Sequence, residues 1–271
     1  MIEDWINKQT TENLIGWDNA LIKYYPESRI WMSNAENYIK RLTEECNYLS
    51  AVKQLDFEAI INNNFIIIDM GCGGGWLSAY LSNFQNVAKI YSIDSSQNYL
   101  QNFLPHVIPL LNGNVEKVFP IKGFFTPLYF EDESIDLIVI SSAIHHADNL
   151  SIVLDEFYRV LKKDGMLLIL NETPSSNLKH ILKISRAFLS IFYSSCIRKF
   201  KIFVQKISSG GFLYDPLLGD IDYPIWYWKS SILNSGFDLL KIHETNLPVV
   251  VDSINRKITL KHFICKKIIN K

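Results

Sequence analysis

This sequence of 271 residues lacks the cysteine patterns that make disulfide frames or zinc sites. Its four cysteines, Cys46, Cys72, Cys196 and Cys265, lie far apart, with no Cys-x-x-Cys pair. They read as reduced thiols of a cytoplasmic protein, with no metal site expected. No run of apolar residues is long enough to cross a bilayer. The opening residues, MIEDWINKQT, are too acidic and polar for a secretory signal. Charge of one sign is not in excess either: the formal net charge is −1. A general nucleic-acid-binding surface is therefore not expected. Internal repeats and low-complexity linkers are also missing.

Apolar material is plentiful, at 48% hydrophobic and 13% aromatic residues, enough for one large core. Apolar positions recur at helical spacing around Trp17, Leu21, Ile22 and Tyr24. They do so again through Tyr38, Ile39, Leu42, Cys46, Leu49 and Val52, with Pro26 between the two runs. Residues 1–60 therefore read as a helical cap, and 61–271 as an α/β domain.

From residue 65 the period changes. FIIID (65–69) is a short β-branched run that suits a buried parallel strand. KIYSID (89–94), KVFPIKG (117–123), DLIVIS (136–141) and MLLILNE (166–172) read as four further strands. Helical stretches separate them, the one after 94 broken or ended near Pro105. Alternation of this kind predicts a mostly parallel sheet covered by helices on both faces. Residues 223–236 read as another helix, and 237–245 and 256–267 as a closing hairpin.

Residues 66–82, IIIDMGCGGGWLSAYLS, are the most informative. Gly71, Gly73, Gly74 and Gly75 lie between a buried strand and a helix, where backbone turns tightly and a ligand can approach closely. The new helix also offers free N–H groups to an anion. Glycines alone would equally make a turn with no ligand. The acids beside them argue for one: Asp69 ends the first strand, and Asp94 ends the second. A carboxylate in Asp94's position can accept both hydroxyls of a ribose. A P-loop is excluded, because no Lys-Ser or Lys-Thr follows.

The chain resembles class I S-adenosylmethionine-dependent methyltransferases of the D-x-G-x-G-x-G group. The likeness runs from residue 66 to about 172. It includes the segment EDESIDLIVISSAIHHADNLSIVLDEFYRVLKKDGMLLILNE, with Asp155-Glu156, Arg159-Val160-Leu161-Lys162 and Gly165 in order. The resemblance implies a Rossmann-like seven-stranded sheet with a reversed final strand, and S-adenosylmethionine as cofactor. It implies that Asp69, Gly71, Cys72, Gly73 and Gly75 surround the methionine part and ribose, mostly through backbone. Asp94 would hold the ribose hydroxyls, with Ser95 beside it, and Ser141 would sit where a strand carbonyl receives the cofactor's amino group. The family often has an acid for the adenine amine after the glycine that ends the third strand. This chain has Gly123-Phe124-Phe125-Thr126 there. Phe124 carries no acceptor, so adenine recognition is expected to rest on the Phe125 backbone amide and aromatic packing.

Methyl transfer needs alignment and exclusion of water, and a hydroxyl acceptor benefits from a general base. His145, His146 and Glu172, at strand ends, are the candidates. Their alternative role is structural, as a ring packed under the loop and a carboxylate that orients a neighbour. His145-His146 by itself has no metal-ligand spacing. The acceptor is expected to be a small molecule or a glycan-like or lipid-linked molecule, methylated at oxygen. Transfer to nitrogen or carbon of a lipid or natural product, and a non-catalytic scaffold that binds the cofactor, are the rival readings. A nicotinamide-dependent oxidoreductase is disfavoured by the closing hairpin.

Residues 173–222 form an insertion after the fifth strand. Lys179, Lys183, Arg186, Arg198, Lys199, Lys201 and Lys206 punctuate it, with no acid between 173 and 214. Around AFLSIFYSSCI (187–197) it reads in two ways. Residues 179–206 meet a membrane or an anionic substrate, or they form a lid whose apolar face covers the core or a second copy in a homodimer. Tyr214, Asp215, Tyr223, Trp226, Tyr227 and Trp228 suit a carbohydrate or aromatic acceptor, or else core.

Overall fold

The computed structural model describes residues 2–6, 23, 28–196, 206–207, 211–215, 218–251 and 254–268. The expected helix around Trp17, Leu21, Ile22 and Tyr24 lies outside these, as do Arg198, Lys199 and Lys201.

Among the described residues eight strands form one sheet, β1 (Glu3–Asp4), β2 (Phe65–Met70), β3 (Val87–Asp94), β4 (Val118–Lys122), β5 (Ile135–Ser141), β6 (Leu161–Glu172), β9 (Phe237–Val251) and β10 (Ile254–Lys267). Their order is β1-β4-β3-β2-β5-β6-β10-β9. The pairs from β1 to β6 are parallel, and β10 runs antiparallel to both β6 and β9. The reversed strand and closing hairpin are therefore as expected, while the strand count is higher by one.

The addition is β1, in a stretch expected to be helical. Glu3 and Asp4 pair with Ile121 and Lys122 of β4. Trp5 follows, buried against Tyr129 and Phe130. Two paired residues are too few to show a period, so the pattern could not announce this strand.

The central strands are apolar on both faces because helices cover both. Leu137 and Val139 of β5 face one core, and Ile138 and Ile140 face the other. Leu168 and Leu170 of β6 likewise oppose Leu167 and Ile169. Burying each such side chain contributes roughly 1.5–3 kcal/mol.

On the first of these faces lie the cap helices α1 (Ser28–Trp31), α2 (Ala35–Ile39), α3 (Tyr48–Val52) and α4 (Phe57–Ile60), with α5 (Trp76–Ser82). A π-helical turn, Lys40–Glu45, extends α2. Another, Tyr99–Phe103, leads into α6 (Leu104–Leu110). Pro105 does not end the helix here. It occupies the first turn of α6, directly after the π-helical turn, so the helical run continues through it with altered pitch.

The other face carries α7 (Leu150–Val160) and α9 (Ile225–Asn234). Trp228 of α9 is buried and stacks on Phe263 at 5.3 Å. Tyr223 is buried too and donates its hydroxyl to the Ala147 carbonyl at 2.8 Å. Those two aromatics belong to the core, whereas Trp226 is exposed.

The insertion begins with α8 (Asn177–Cys196) and continues through β7 (Lys206–Ile207) and β8 (Leu213–Tyr214), a small antiparallel pair. Asp222 joins its two ends, accepting from Ser175 Oγ at 2.6 Å and pairing with Lys183. Among the described residues no helix is long and apolar enough to cross a membrane.

Candidate functional site

Strand order reverses between β2 and β5, so their loops diverge and leave a crevice at the carboxyl ends of the parallel strands. Left-handed backbone gathers there. Gly71, Gly73 and Gly75 have φ of 63°, 53° and 84°. Ser142 and Asn171, after β5 and within β6, reach 50° and 56° without being glycine. Strain of this kind persists where surrounding contacts enforce it, and it concentrates at functional sites.

The glycines answer to identifiable neighbours. A Cβ on Gly71 would lie 2.6 Å from Ala143 Cβ, with the Phe125 ring at 3.8 Å. On Gly73 it would lie 2.6 Å from the Tyr38 hydroxyl, and on Gly74 it would lie 2.7 Å from the Tyr38 ring. Tyr38 is buried, and its hydroxyl accepts the Gly74 N–H at 2.8 Å. From the same cap, Tyr48 places its hydroxyl 3.1 Å from Ser142 Oγ. Burial pushes both phenols above their ordinary range. Neither tyrosine was a sequence candidate. Tyr38 showed only as one apolar position of a helical stripe.

Asp94 is half-buried at the end of β3 and binds backbone on both sides. One carboxylate oxygen accepts the Gly73 N–H and the other the Ser96 N–H, each at 2.8 Å. Ser95 sits half-buried in that turn. Asp69, by contrast, is turned into the interior. It accepts from Ser78 Oγ at 2.6 Å, and Ser78 Oγ lies 2.6 Å from Ser92 Oγ. Burial raises its pKa to about 7, with the Ser78 bonds acting in opposition. Its side chain locks α5 to β2 and β3 instead of facing the crevice. Cys72 is buried in the glycine loop, and burial raises its thiol pKa, with Asp94 and Asp69 adding to the effect. Ser141 accepts from Asn171 Nδ2 at 2.9 Å, which bridges the ends of β5 and β6. Phe124 and Phe125 are both half-buried, and Phe125 is the one beside Gly71.

The three catalytic candidates converge. His145 Nδ1 lies 2.8 Å from Glu172 Oε2, and the other Glu172 oxygen accepts the Ala143 N–H at 3.1 Å. The imidazoles of His145 and His146 are 4.4 Å apart. Asp220, from the insertion, joins them with Oδ1 3.1 Å from His146 Nδ1 and 4.0 Å from His145 Nε2. Burial alone would depress the His145 pKa. The Glu172 charge and hydrogen bond, with Asp220 adding, outweigh burial and lift it to about 9. Asp220 is held below the usual carboxylate range: burial opposes this, but the His146 bond and both imidazoles prevail. Asp220 escaped sequence reasoning because the loop that delivers it lies far along the chain.

Over residues 68–169 the chain matches the family model of a methyltransferase domain. Arginine-hydroxylase NDUFAF5 of Homo sapiens is 29% identical over 109 residues, 40% of this chain and 29% of that protein. The C-methyltransferase UbiE of Campylobacter jejuni is 35% identical over 112 residues, covering 40% of this chain and 44% of the other. A sterol 24-C-methyltransferase of Candida albicans is 26% identical over 189 residues, 63% and 46% of the two chains. The chain spans under half the length of these curated relatives. Among solved structures, a SAM-dependent methyltransferase of Methanosarcina mazei aligns with a TM-score of 0.54 at 17% identity, covering 78% of this chain and 96% of its own. One from Aquifex aeolicus aligns at 0.50 with 15% identity, covering 81% and 93%. These structures share the fold.

The cofactor of such a domain is S-adenosylmethionine, and the crevice of the methyltransferase domain has the chemistry to hold it. A loop of four glycines and one buried cysteine lies at the switch point, and Asp94 stands beside it as a half-buried carboxylate suited to a ribose diol.

Proposed function

We propose that this chain transfers a methyl group from S-adenosylmethionine to a hydroxyl of a small-molecule acceptor. The observation that carries this is the 2.8 Å contact of His145 Nδ1 with Glu172 Oε2 at the strand ends beside the glycine loop. When bound, the cofactor supplies an electrophilic methyl on a sulfonium. Gly71, Cys72, Gly73 and Gly75 line it with backbone, Asp94 holds the ribose, and Phe125 packs near the adenine end. Asp69 acts from behind, by fixing the start of α5. Glu172 holds the His145 ring through Nδ1 and favours its protonated form, so Nε2 takes the acceptor's proton from the neutral ring, a fraction that grows as pH rises toward about 9. His146 and Asp220 stand on the opposite side of that ring. The cap, residues 1–60, closes one wall through Tyr38 and Tyr48. The insertion, 173–222, serves as a lid over the acceptor and excludes water. A cytoplasmic setting keeps the buried thiols Cys46, Cys72 and Cys265 reduced.

The names of the UbiE and sterol relatives favour a second reading, methylation at carbon of a quinol-like or sterol-like acceptor. In a quinol the same proton acceptor would ionise the hydroxyl that activates the ring.

Calorimetric titration with S-adenosylhomocysteine tests the cofactor half, with Asp94→Ala expected to bind at least tenfold more weakly. Transfer of labelled methyl to phenols, quinols and sterols, with NMR of the product, separates oxygen from carbon. Absence of S-adenosylhomocysteine binding by the intact chain would overturn the proposal.

A further inference from the structure

The cluster above the crevice holds more than a proton acceptor needs. His145, His146 and Asp220 each offer one ligand atom, and all three lie within 4.8 Å of one another. We infer that these residues form a binding site for a divalent first-row transition metal. The site stands on its own geometry, whether or not methyl transfer is the chemistry.

Two imidazoles and one carboxylate are the donor set such ions prefer, and they leave coordination positions open for water or a substrate oxygen. With metal–ligand bonds of about 2.1 Å, neighbouring ligand atoms stand roughly 3.0–3.4 Å apart. His146 Nδ1 and Asp220 Oδ1 are already at 3.1 Å. His145 Nε2 and Asp220 Oδ1 stand at 4.0 Å, so His145 has to move closer to complete the set.

The support behind the cluster also suits a metal. Metal-bound histidines generally give their second ring nitrogen to a carboxylate, which fixes tautomer and orientation. Glu172 does this for His145, at 2.8 Å from Nδ1, and Glu172 is itself held by the Ala143 N–H. The loop carrying Asp220 is tied to the same frame. The Ile221 N–H donates to the His145 carbonyl at 3.0 Å, and the Asp215 N–H donates to the Asp220 carbonyl at 2.8 Å. The residue after Asp220 is thus held on the backbone of His145, which fixes the loop's carboxylate beside the two imidazoles. A bound cation would replace the proton at His145 Nε2, and its charge would then favour the ionised form of an acceptor hydroxyl.

Cobalt(II) is the probe, titrated into the intact metal-free chain and followed by its visible spectrum and by calorimetry. One ion per chain is expected, displaced by zinc. His146→Ala and Asp220→Ala should each weaken binding at least tenfold, and Glu172→Gln by about 10–100-fold. In the wild type, cobalt should shift the ring resonances of His145 and His146 and leave those of His243 and His262 in place. S-adenosylhomocysteine titration of each variant reports whether the fold survives, and Asp220→Asn replaces any alanine variant that loses it. No saturable cobalt or zinc binding, unshifted His145 and His146 resonances, or equal affinity in the Asp220 variants would each overturn the inference. Metal binding without S-adenosylhomocysteine binding would sink the methyl-transfer reading instead.

Discussion

The buried hydroxyl of Tyr38 accepts a hydrogen bond from the Gly74 N–H at 2.8 Å, so the cap is built into the glycine loop and does not merely rest over it. Glycine at 73 and 74 is set as much by that ring as by any ligand, since a Cβ at either position would lie within 2.7 Å of Tyr38.

Gly74→Ala should therefore destabilise the protein by about 1–3 kcal/mol, the range for overpacking a filled interior. Tyr38→Phe should cost a similar ~1–3 kcal/mol, because it leaves a buried N–H without its acceptor. The double variant Tyr38→Ala/Gly74→Ala should be less unstable than the sum of its singles, since removing the ring removes the clash. Urea denaturation of the wild type, Tyr38→Ala, Gly74→Ala and the double variant measures the coupling, and strict additivity would refute the account.

Asp94 should matter to the loop as well as to a ligand. Asp94→Ala strips the acceptor from the Gly73 and Ser96 N–H groups together. Amide hydrogen exchange at those two residues should quicken in the variant even without ligand. Unchanged exchange would mean that the carboxylate does not organise the loop.

Asp69 makes stability depend on pH. Its folded pKa is about 7 against an ordinary 3.8, so the folded chain binds a proton that the unfolded chain has released. Stability from this group is full below about pH 4 and declines as pH rises to about 7, by at most ~1.4 kcal/mol per pH unit. Asp69→Asn keeps an acceptor for Ser78 and removes the titration. Between pH 4.5 and 7, the wild type should lose stability relative to this variant in urea melts. Parallel curves would show that Asp69 is ionised throughout.

Glu172 is expected to act by holding His145. Glu172→Gln retains a side chain able to reach the Ala143 N–H but loses the charge beside the imidazole. Turnover on an identified acceptor should fall about 10²-fold or more while S-adenosylhomocysteine affinity stays within a few-fold. If both fall together, Glu172 is supporting the cofactor loop instead.

The alternation of apolar runs and amphipathic stretches carried the sheet, because strands buried on both faces must be apolar throughout, as Ile67, Ile68, Leu137 and Ile138 are. The glycine loop and Asp94 were legible for a related reason. Tight turns and charged strand ends are local demands, met by residues a few positions apart. The closing hairpin showed itself in the same local way.

Tertiary structure decided what depends on distant partners. Asp69 and Asp94 read alike as acids ending strands, yet one is sealed against Ser78 and the other faces the crevice, a difference set by packing. Tyr38 read as a member of a helical stripe and Tyr48 did not stand out, and only the docking of the cap delivers them to Gly74 and Ser142. Asp220 meets His145 and His146 because the next residue, Ile221, donates its N–H to the His145 carbonyl. Local periodicity records which side of an element is buried, and contacts made across many residues of chain leave no such period.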